Sequence, residues 1–351
     1  MVRSRAAALC AAACWACGDE ATGPPVLETV ELELDIVNLA ALTPAEGTYE
    51  GWAIDAEGGI HSVGQFQVTG TDSQRVELAS PVRNPTDIMV TVQRPGDPAG
   101  QPSMLKVMGG SVEGGRAVLD VNRYLTAGVP LEERPGTHVL FTPSDNAELG
   151  FPSNEDAGIW LFNVDPDVGV PDSLNPAFYL TFTPLTRGWA YEGWIVRDHG
   201  TADEVWLSYG QFETDPFRKA RSRDETGLGP FSGQIDYREA MPLEIQFPGD
   251  DWVANPLDLP IPGDLTLPLD LNGCLADRAI CEAAGQEWGP SRYTHVVTIQ
   301  PWDDRDVEPW QRRPFFIRPY RNPIGETDWQ TPRRVDFFPD ELPRGKVRLG
   351  S

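Results

Sequence analysis

The chain is written in short alternating runs. From Val30 to Ile36 the apolar residues Val30, Leu32, Leu34 and Ile36 interleave with Glu31, Glu33 and Asp35. A period of two puts one set on a core face and the other in water, which predicts a half-buried strand. Ile88, Val90 and Val92 alternate with Met89, Thr91 and Gln93 in the same way, and Phe178, Leu180 and Phe182 repeat the pattern. Runs at 104–108 and 117–121 flank Gly109-Gly110 and Gly114-Gly115, predicting a hairpin with a glycine-rich connection. Further short strands fit 137–142, 158–163, 205–212, 234–237, 243–247 and 315–318. Helical spacing is best at 272–289, through Leu275, Ala279, Ile280 and Ala283. Prolines at 248, 256, 260, 262 and 268 make 248–271 an extended loop.

A search for self-similarity finds three matches in order. Tyr49-Glu50-Gly51-Trp52 recurs as Tyr191-Glu192-Gly193-Trp194, at an offset of 142. Gly64-Gln65-Phe66 recurs as Gly210-Gln211-Phe212 at 146, and Val90-Thr91-Val92-Gln93 recurs as Val297-Thr298-Ile299-Gln300 at 207. The order is kept while the offset grows, so the second copy carries insertions of 4 and then 61 residues. Equivalent sheet positions follow, with Trp52 matching Trp194, Phe66 matching Phe212 and Val92 matching Ile299, and the large insertion leaving the core as a surface excursion. The expected fold class is all-β: two related β-sandwich (Ig-like) units in tandem, with one short helix in an insertion of the second. Unit 1 covers 30–170, unit 2 covers 171–325 with its insertion at about 213–290, and 326–351 is a tail in which basic and acidic charge balance.

Composition narrows the function. The 351 residues include 34 Gly and 33 Pro, which favour turns over long helices. Lys+Arg 28 against Asp+Glu 53 gives a net charge of −25, which repels phosphate backbones and excludes nucleic acid as a partner of the body. From Asp303 onward ten basic residues meet nine acidic ones, and Arg312-Arg313, Arg333-Arg334 and the stretch from Arg344 to Arg348 are expected to pair with the acidic body.

The first 16 residues read as a secretory signal peptide: Arg3 and Arg5 precede an apolar run, Ala6 to Ala16, too short to span a bilayer. Cys17 then meets the polar tether Gly18-Asp19-Glu20, the tether as a whole covering 17–29. An apolar segment ending in Ala-Cys resembles the lipobox of bacterial lipoproteins, with Cys14 standing where leucine is usual. This resemblance implies lipidation at Cys17, with Cys14 as the alternative, a membrane partner through the lipid anchor, and a place on the extracytoplasmic face of a bacterial cell envelope. Cys10, Cys14 and Cys17 also spell C-x3-C-x2-C, a spacing that can clasp a metal, but they lie in an alanine-rich export segment with no strand before them. Export permits a disulfide, and Cys274 and Cys281 are the remaining pair. A helix through both would hold their Cα atoms about 10 Å apart, against the roughly 4.4–6.8 Å of a bridge. Bridge and helix coexist only if Cys274 precedes the helix, with Asp277 near its start.

Tyr-Glu-Gly-Trp, a hairpin, Gly-Gln-Phe and Val-Thr-Val-Gln together resemble the extracytoplasmic C-terminal domain of RskA-type anti-sigma-K factors. They are more similar still to bacterial surface proteins carrying two such units in tandem, which also have stretches like 141–145 and 154–160. In membrane-spanning members a cytoplasmic helical domain holds the sigma factor. The resemblance covers about 30–325 and none of that domain, so it implies no sigma-factor binding by any residue here.

Candidate chemistry is sparse. Trp52 and Trp194 could be sugar platforms, but the best-kept residues of a structural repeat are more simply core. Glu50 and Glu192 could act as acid or base, yet neither has a carboxylate partner nearby in sequence. His61, His138, His199 and His295 are scattered, without a metal-binding pair at helical spacing. Asp165/Asp167, Asp250/Asp251 and Asp303/Asp304/Asp306 could offer oxygens to calcium but fit no EF-hand loop, so a solvated surface is the default. No nucleophile elbow or phosphate-binding glycine loop occurs. The expectation is a non-enzymatic envelope protein without catalytic, cofactor or metal residues, binding an unidentified protein or glycan or serving a structural role. The alternative is a secreted polysaccharide-active hydrolase or carbohydrate-binding module.

Overall fold

The computed structural model describes residues 29–144, 156–161, 163–164, 178–179, 182–214, 220–222, 230–233, 248–283, 286, 288–302, 312–325 and 332–350. The lipidation candidate Cys17, the expected strands at 234–237 and 243–247, and the aspartates at 165, 167, 303, 304 and 306 lie outside the described residues.

The largest sheet has eight antiparallel strands. Its order is β3 (Ile60–Phe66), β2 (Thr48–Ile54), β5 (Asp87–Gln93), β6 (Lys106–Ser111), β7 (Arg116–Asp120), β22 (Arg344–Leu349), β1 (Val30–Val37) and β4 (Gln74–Ser80). Outer strands β3 and β4 curl toward each other: a Cβ on Gly51 of β2 would lie 2.7 Å from Val63 of β3 and 3.2 Å from Leu78 of β4. The result is barrel-like. A second sheet runs β14 (Ala220–Ser222), β13 (Val205–Thr214), β12 (Trp189–Arg197), β18 (Tyr293–Pro301), β19 (Ile317–Pro323) and β21 (Asp336–Phe337). A third joins β15 (Gly249–Asp251), β9 (Gly158–Leu161), β8 (Thr137–Leu140) and β20 (Arg333–Arg334). Two small ribbons pair β10 (Asn163–Val164) with β11 (Phe178–Tyr179), and β16 (Gly273–Cys274) with β17 (Gly289–Pro290).

The alternation in β1 does what its period requires. Leu32, Leu34 and Ile36 are buried, and the acids face outward. Beside them runs β22, from the 326–351 segment expected to be a tail. Glu33 lies opposite Arg348 and Asp35 opposite Lys346. Arg348 reaches Asp35 at 3.4 Å, and Arg75 of β4 reaches both Glu33 and Asp35 at 2.9 Å. Solvated pairs like these add little stability, but a one-residue slip would bury them and expose Val347, so they help fix register. In the last segment Arg344 pairs with Asp340 and Arg348 with Asp35, and Arg344–Leu349 closes the first sheet instead of forming a tail.

Two further expectations change. Gly109 and Gly110 lie within β6, not in its connection. A side chain at Gly109 would strike the Tyr124 ring at 2.2 Å, and one at Gly110 would strike the Val118 carbonyl at 1.9 Å, so both permit close approach. The turn falls on Gly114 and Gly115, with φ of 56° and 75°. The 213–290 insertion is also not a pure surface excursion. Its Trp252, Leu269 and Leu271 are buried in the main core, where Leu271 N–H donates to the Asp156 carbonyl and Leu269 N–H to that of Trp252.

That core is continuous from Leu32 through Tyr320. Tyr49 meets Phe316 edge-on at 6.4 Å, the Trp189 indole donates to the Lys106 carbonyl at 3.1 Å, and the Tyr320 hydroxyl donates to the Leu131 carbonyl at 2.8 Å. The all-β class holds, whereas separately bounded sandwiches do not describe the packing, because apolar side chains from both repeats complete one interior. Within the insertion the only helix among the described residues is α1 (Arg278–Ala283), shorter than the helical spacing over 272–289 suggests. Cys274 precedes it on β16, the Asp277 carboxylate accepts from Ala279 N–H at 2.9 Å, and the Cys274–Cys281 disulfide forms with Cα atoms 5.8 Å apart.

Candidate functional site

The repeated motif builds the same polar constellation twice. In β2, Tyr49, Glu50 and Gly51 lie opposite Phe66, Gln65 and Gly64, and a bulge then sets Trp52 opposite Ser62. In β12, Tyr191, Glu192 and Gly193 lie opposite Phe212, Gln211 and Gly210, and a bulge sets Trp194 opposite Ser208. The bulge glycines Gly64 and Gly210 have φ of 124° and 103°, a backbone that side chains rarely adopt. Tyr49 stacks on Phe66 at 5.6 Å, and Tyr191 stacks on Phe212 at 5.4 Å. The tyrosine hydroxyls donate to the carbonyls of Ala40 and Thr183, at 2.8 and 2.7 Å. Each indole donates to the threonine of the Val-Thr-Val/Ile-Gln strand: Trp52 to Thr91 at 2.9 Å, Trp194 to Thr298 at 3.0 Å.

Each glutamate is held by its own strand pair. Ser62 donates to Glu50 and Ser208 to Glu192, both at 2.5 Å, while Gln65 and Gln211 donate to the second carboxylate oxygens at 3.2 and 3.3 Å. Glu192 has two more partners, since Gln300 donates to it and Arg312 stands 3.7 Å away. Burial raises the Glu192 pKa above the usual carboxylate value, against the pull of Arg312 and the three donors. Glu192 is fully buried and Glu50 is 6% exposed, so both carboxylates brace the bulge from inside the sheet. Trp52, Trp194 and Phe212 are fully buried and Phe66 is 7% exposed. Neither indole offers a face to a sugar, which removes the platform on which the carbohydrate reading of these tryptophans rested.

On the opposite face of the second sheet lies a group that the sequence left scattered. His138 of β8 and His295 of β18 are fully buried, with their Nδ1 atoms 3.1 Å apart. The Tyr209 hydroxyl is 2.8 Å from His295 Nε2. Burial, then the neighbouring His138, holds the His295 pKa well below the ordinary imidazole range, and burial raises that of Tyr209. A neutral His295 has one donor and one acceptor, which suits Tyr209 donating to Nε2 and Nδ1–H donating to His138. Tyr209 reaches across Gly193, where a Cβ would fall 1.5 Å from its ring. This hydrogen-bonded chain ties the second sheet to the third through polar contacts between buried side chains.

Other expected residues are placed apart. Asp55 and His61 pair at 2.7 Å in the β2–β3 hairpin, and the contact holds the Asp55 carboxyl below its usual range. Asp250 and Asp251 lie in β15, where the Asp251 carboxylate accepts from Ser144 N–H at 3.0 Å. Among the described residues no group of three or more His, Cys, Asp or Glu is arranged to hold a metal ion. No described helix is long and apolar enough to cross a membrane.

Residues 4–107 match the family described as anti-sigma-K factor rskA, C-terminal. The matched stretch takes in β1 to β5 and the start of β6, so the first copy of the repeated motif lies within the stretch similar to that family. No curated protein and no solved structure matches the chain.

Proposed function

We propose that the protein is exported, anchored by lipid at Cys17, and works without enzymatic activity as a binding or structural component of the bacterial envelope. The family match over residues 4–107 supports the non-catalytic part of this reading, because the matched domain type is associated with regulators and not with catalysis. The Cys274–Cys281 disulfide supports an oxidising compartment. The burial of Glu50, Glu192 and His295 supports bracing roles over acid–base roles. Sigma-factor binding forms no part of the proposal.

The test is metabolic labelling with palmitate in a bacterial host, followed by membrane fractionation. Wild type should carry label and sediment with membranes, Cys17→Ser should lose both, and Cys14→Ser should keep both. Absence of label in wild type would overturn the anchor, and recovery of wild type from the cytoplasm would overturn export.

A further inference from the structure

On the same face of the second sheet as Trp194, a half-buried cluster surrounds Trp206 of β13. The Arg318 guanidinium of β19 lies over the Trp206 ring, 4.7 Å from its centroid. His199, from the β12–β13 turn, meets the same ring edge-on at 5.9 Å, and Trp194 meets it edge-on at 5.7 Å. Arg318 is fixed at its near end, where Nε donates to the Phe315 carbonyl at 3.2 Å. Its two terminal nitrogens make no hydrogen bond or ion pair with the described residues, and neither does the His199 ring.

The nearby acids are already engaged. Both carboxylate oxygens of Glu341 take Arg321, at 2.5 and 2.7 Å, and Arg321 also covers Phe338 at 3.7 Å. Glu204 accepts from Gly200 N–H at 3.1 Å within its own hairpin. A cation is therefore held against an aromatic ring with its outward fork left over, while Glu204 and Glu341 act on it through their charge alone and hydrogen-bond other donors. Burial lowers the Arg318 pKa, the sign of a charge partly withdrawn from water. A protein of net charge −25 does not attract anions at long range, so any affinity must come from this local geometry.

We propose that Arg318, backed by Trp206 and flanked by His199, is a binding site for the carboxylate group of a ligand. The parallel N–H pair at the end of a guanidinium matches a carboxylate in a two-point contact, and stacking on an indole orders that pair in advance. The inference does not depend on lipidation or export.

The experiment follows indole N–H resonances of the 15N-labelled protein, with Trp206 assigned through Trp206→Phe. Probes are sodium glucuronate for an acidic sugar and N-acetylglycinate for a peptide terminus, with glucose, inorganic phosphate and chloride at matched ionic strength beside them. A saturable shift of Trp206 with one or both carboxylates is expected, and which of the two binds tells the source. Arg318→Gln should weaken binding roughly tenfold or more while the other indole signals stay in place. If that variant fails to fold, Arg318→Lys serves, since it keeps the charge without the fork and should still weaken binding. No saturable shift with either carboxylate would overturn the proposal. So would equal response to glucose or phosphate, or unchanged affinity in the arginine variant.

Discussion

The two indole–threonine bonds offer a direct measure of how alike the repeats are. Trp194 donates to Thr298 at 3.0 Å and Trp52 to Thr91 at 2.9 Å, all four residues being fully buried. Trp194→Phe removes the donor and leaves the Thr298 hydroxyl only its 3.4 Å bond to the Glu192 carbonyl, which costs about 1–3 kcal/mol. The unfilled part of the indole volume adds about 1 kcal/mol for each 40 Å³ left empty. Thr298→Val strands the indole N–H at a similar cost, and the double variant strands neither partner. The cycle should therefore return a coupling of about 1 kcal/mol. The Trp52–Thr91 cycle should return the same value within about 0.5 kcal/mol. Urea unfolding, followed by far-ultraviolet circular dichroism and by fluorescence, supplies the energies, and the continuous core predicts coincident transitions. A coupling near zero at one site and full size at the other would refute equivalence. Two separated transitions in wild type would refute the shared interior.

Three other outcomes test neighbouring parts of the argument. Gly193→Ala should cost about 3 kcal/mol or more, because its Cβ would fall 1.5 Å from the Tyr209 ring, and adding Tyr209→Val should recover part of that loss in thermal unfolding. Val347→Asp puts a carboxylate at a site 1% exposed between β1 and β7; a loss of about 3 kcal/mol or more is expected, and a variant as stable as wild type would mean that β22 does not close the sheet. His295 has a folded pKa below its unfolded value, so its contribution is fully present above about pH 6.5 and is lost as pH falls toward the folded pKa, at up to about 1.4 kcal/mol per unit. Urea midpoints between pH 7.5 and 5.5 should fall more steeply in wild type than in His295→Gln, and equal slopes would count against the assignment.

Much of the first sheet can be read from local pattern, because one face of each strand is buried and the other is wet. Val30 to Ile36 announces itself by strict alternation, and Leu32, Leu34 and Ile36 are indeed interior. The repeat needs no periodicity at all, since bulge glycines, a buried glutamate and a stacked Tyr–Phe pair tolerate few substitutes. What local pattern misses is partnership over distance. Arg344–Leu349 is basic and near the chain end, so by itself it looks like a tail; only the acidic face of β1, more than 300 residues earlier, explains its charge. Gly109-Gly110 misleads for a related reason. Glycine marks both turns and close approach, and Tyr124 and Val118, which require the second, come later in the chain.

The buried histidine pair was nonetheless partly legible, through the place where the two copies disagree. At the earlier offset of 207, His295 aligns with Ile88, and at 146 Tyr209 aligns with Val63. Strand register agrees, for Ile88 lies opposite Ala53 and His295 opposite Ile195, while Val63 and Tyr209 each occupy the bulge. An apolar pair in the first copy is thus a hydrogen-bonded polar pair in the second. Putting Tyr and His where Val and Ile suffice costs desolvation unless a further polar partner is supplied. That requirement alone predicts a third group from outside the repeat. His138 meets it from β8, in the stretch between the copies, with its Nδ1 at 3.1 Å from that of His295. The polar substitution therefore makes sense only with the third sheet docked, so the second unit is fitted to its neighbour and is not a free-standing copy of the first. A variant with Tyr209→Val and His295→Ile should restore the apolar pair but take the His295 bond away from His138, leaving it destabilised; adding His138→Leu should recover part of that stability. If the triple variant is no more stable than the double, the third sheet is not held through this chain.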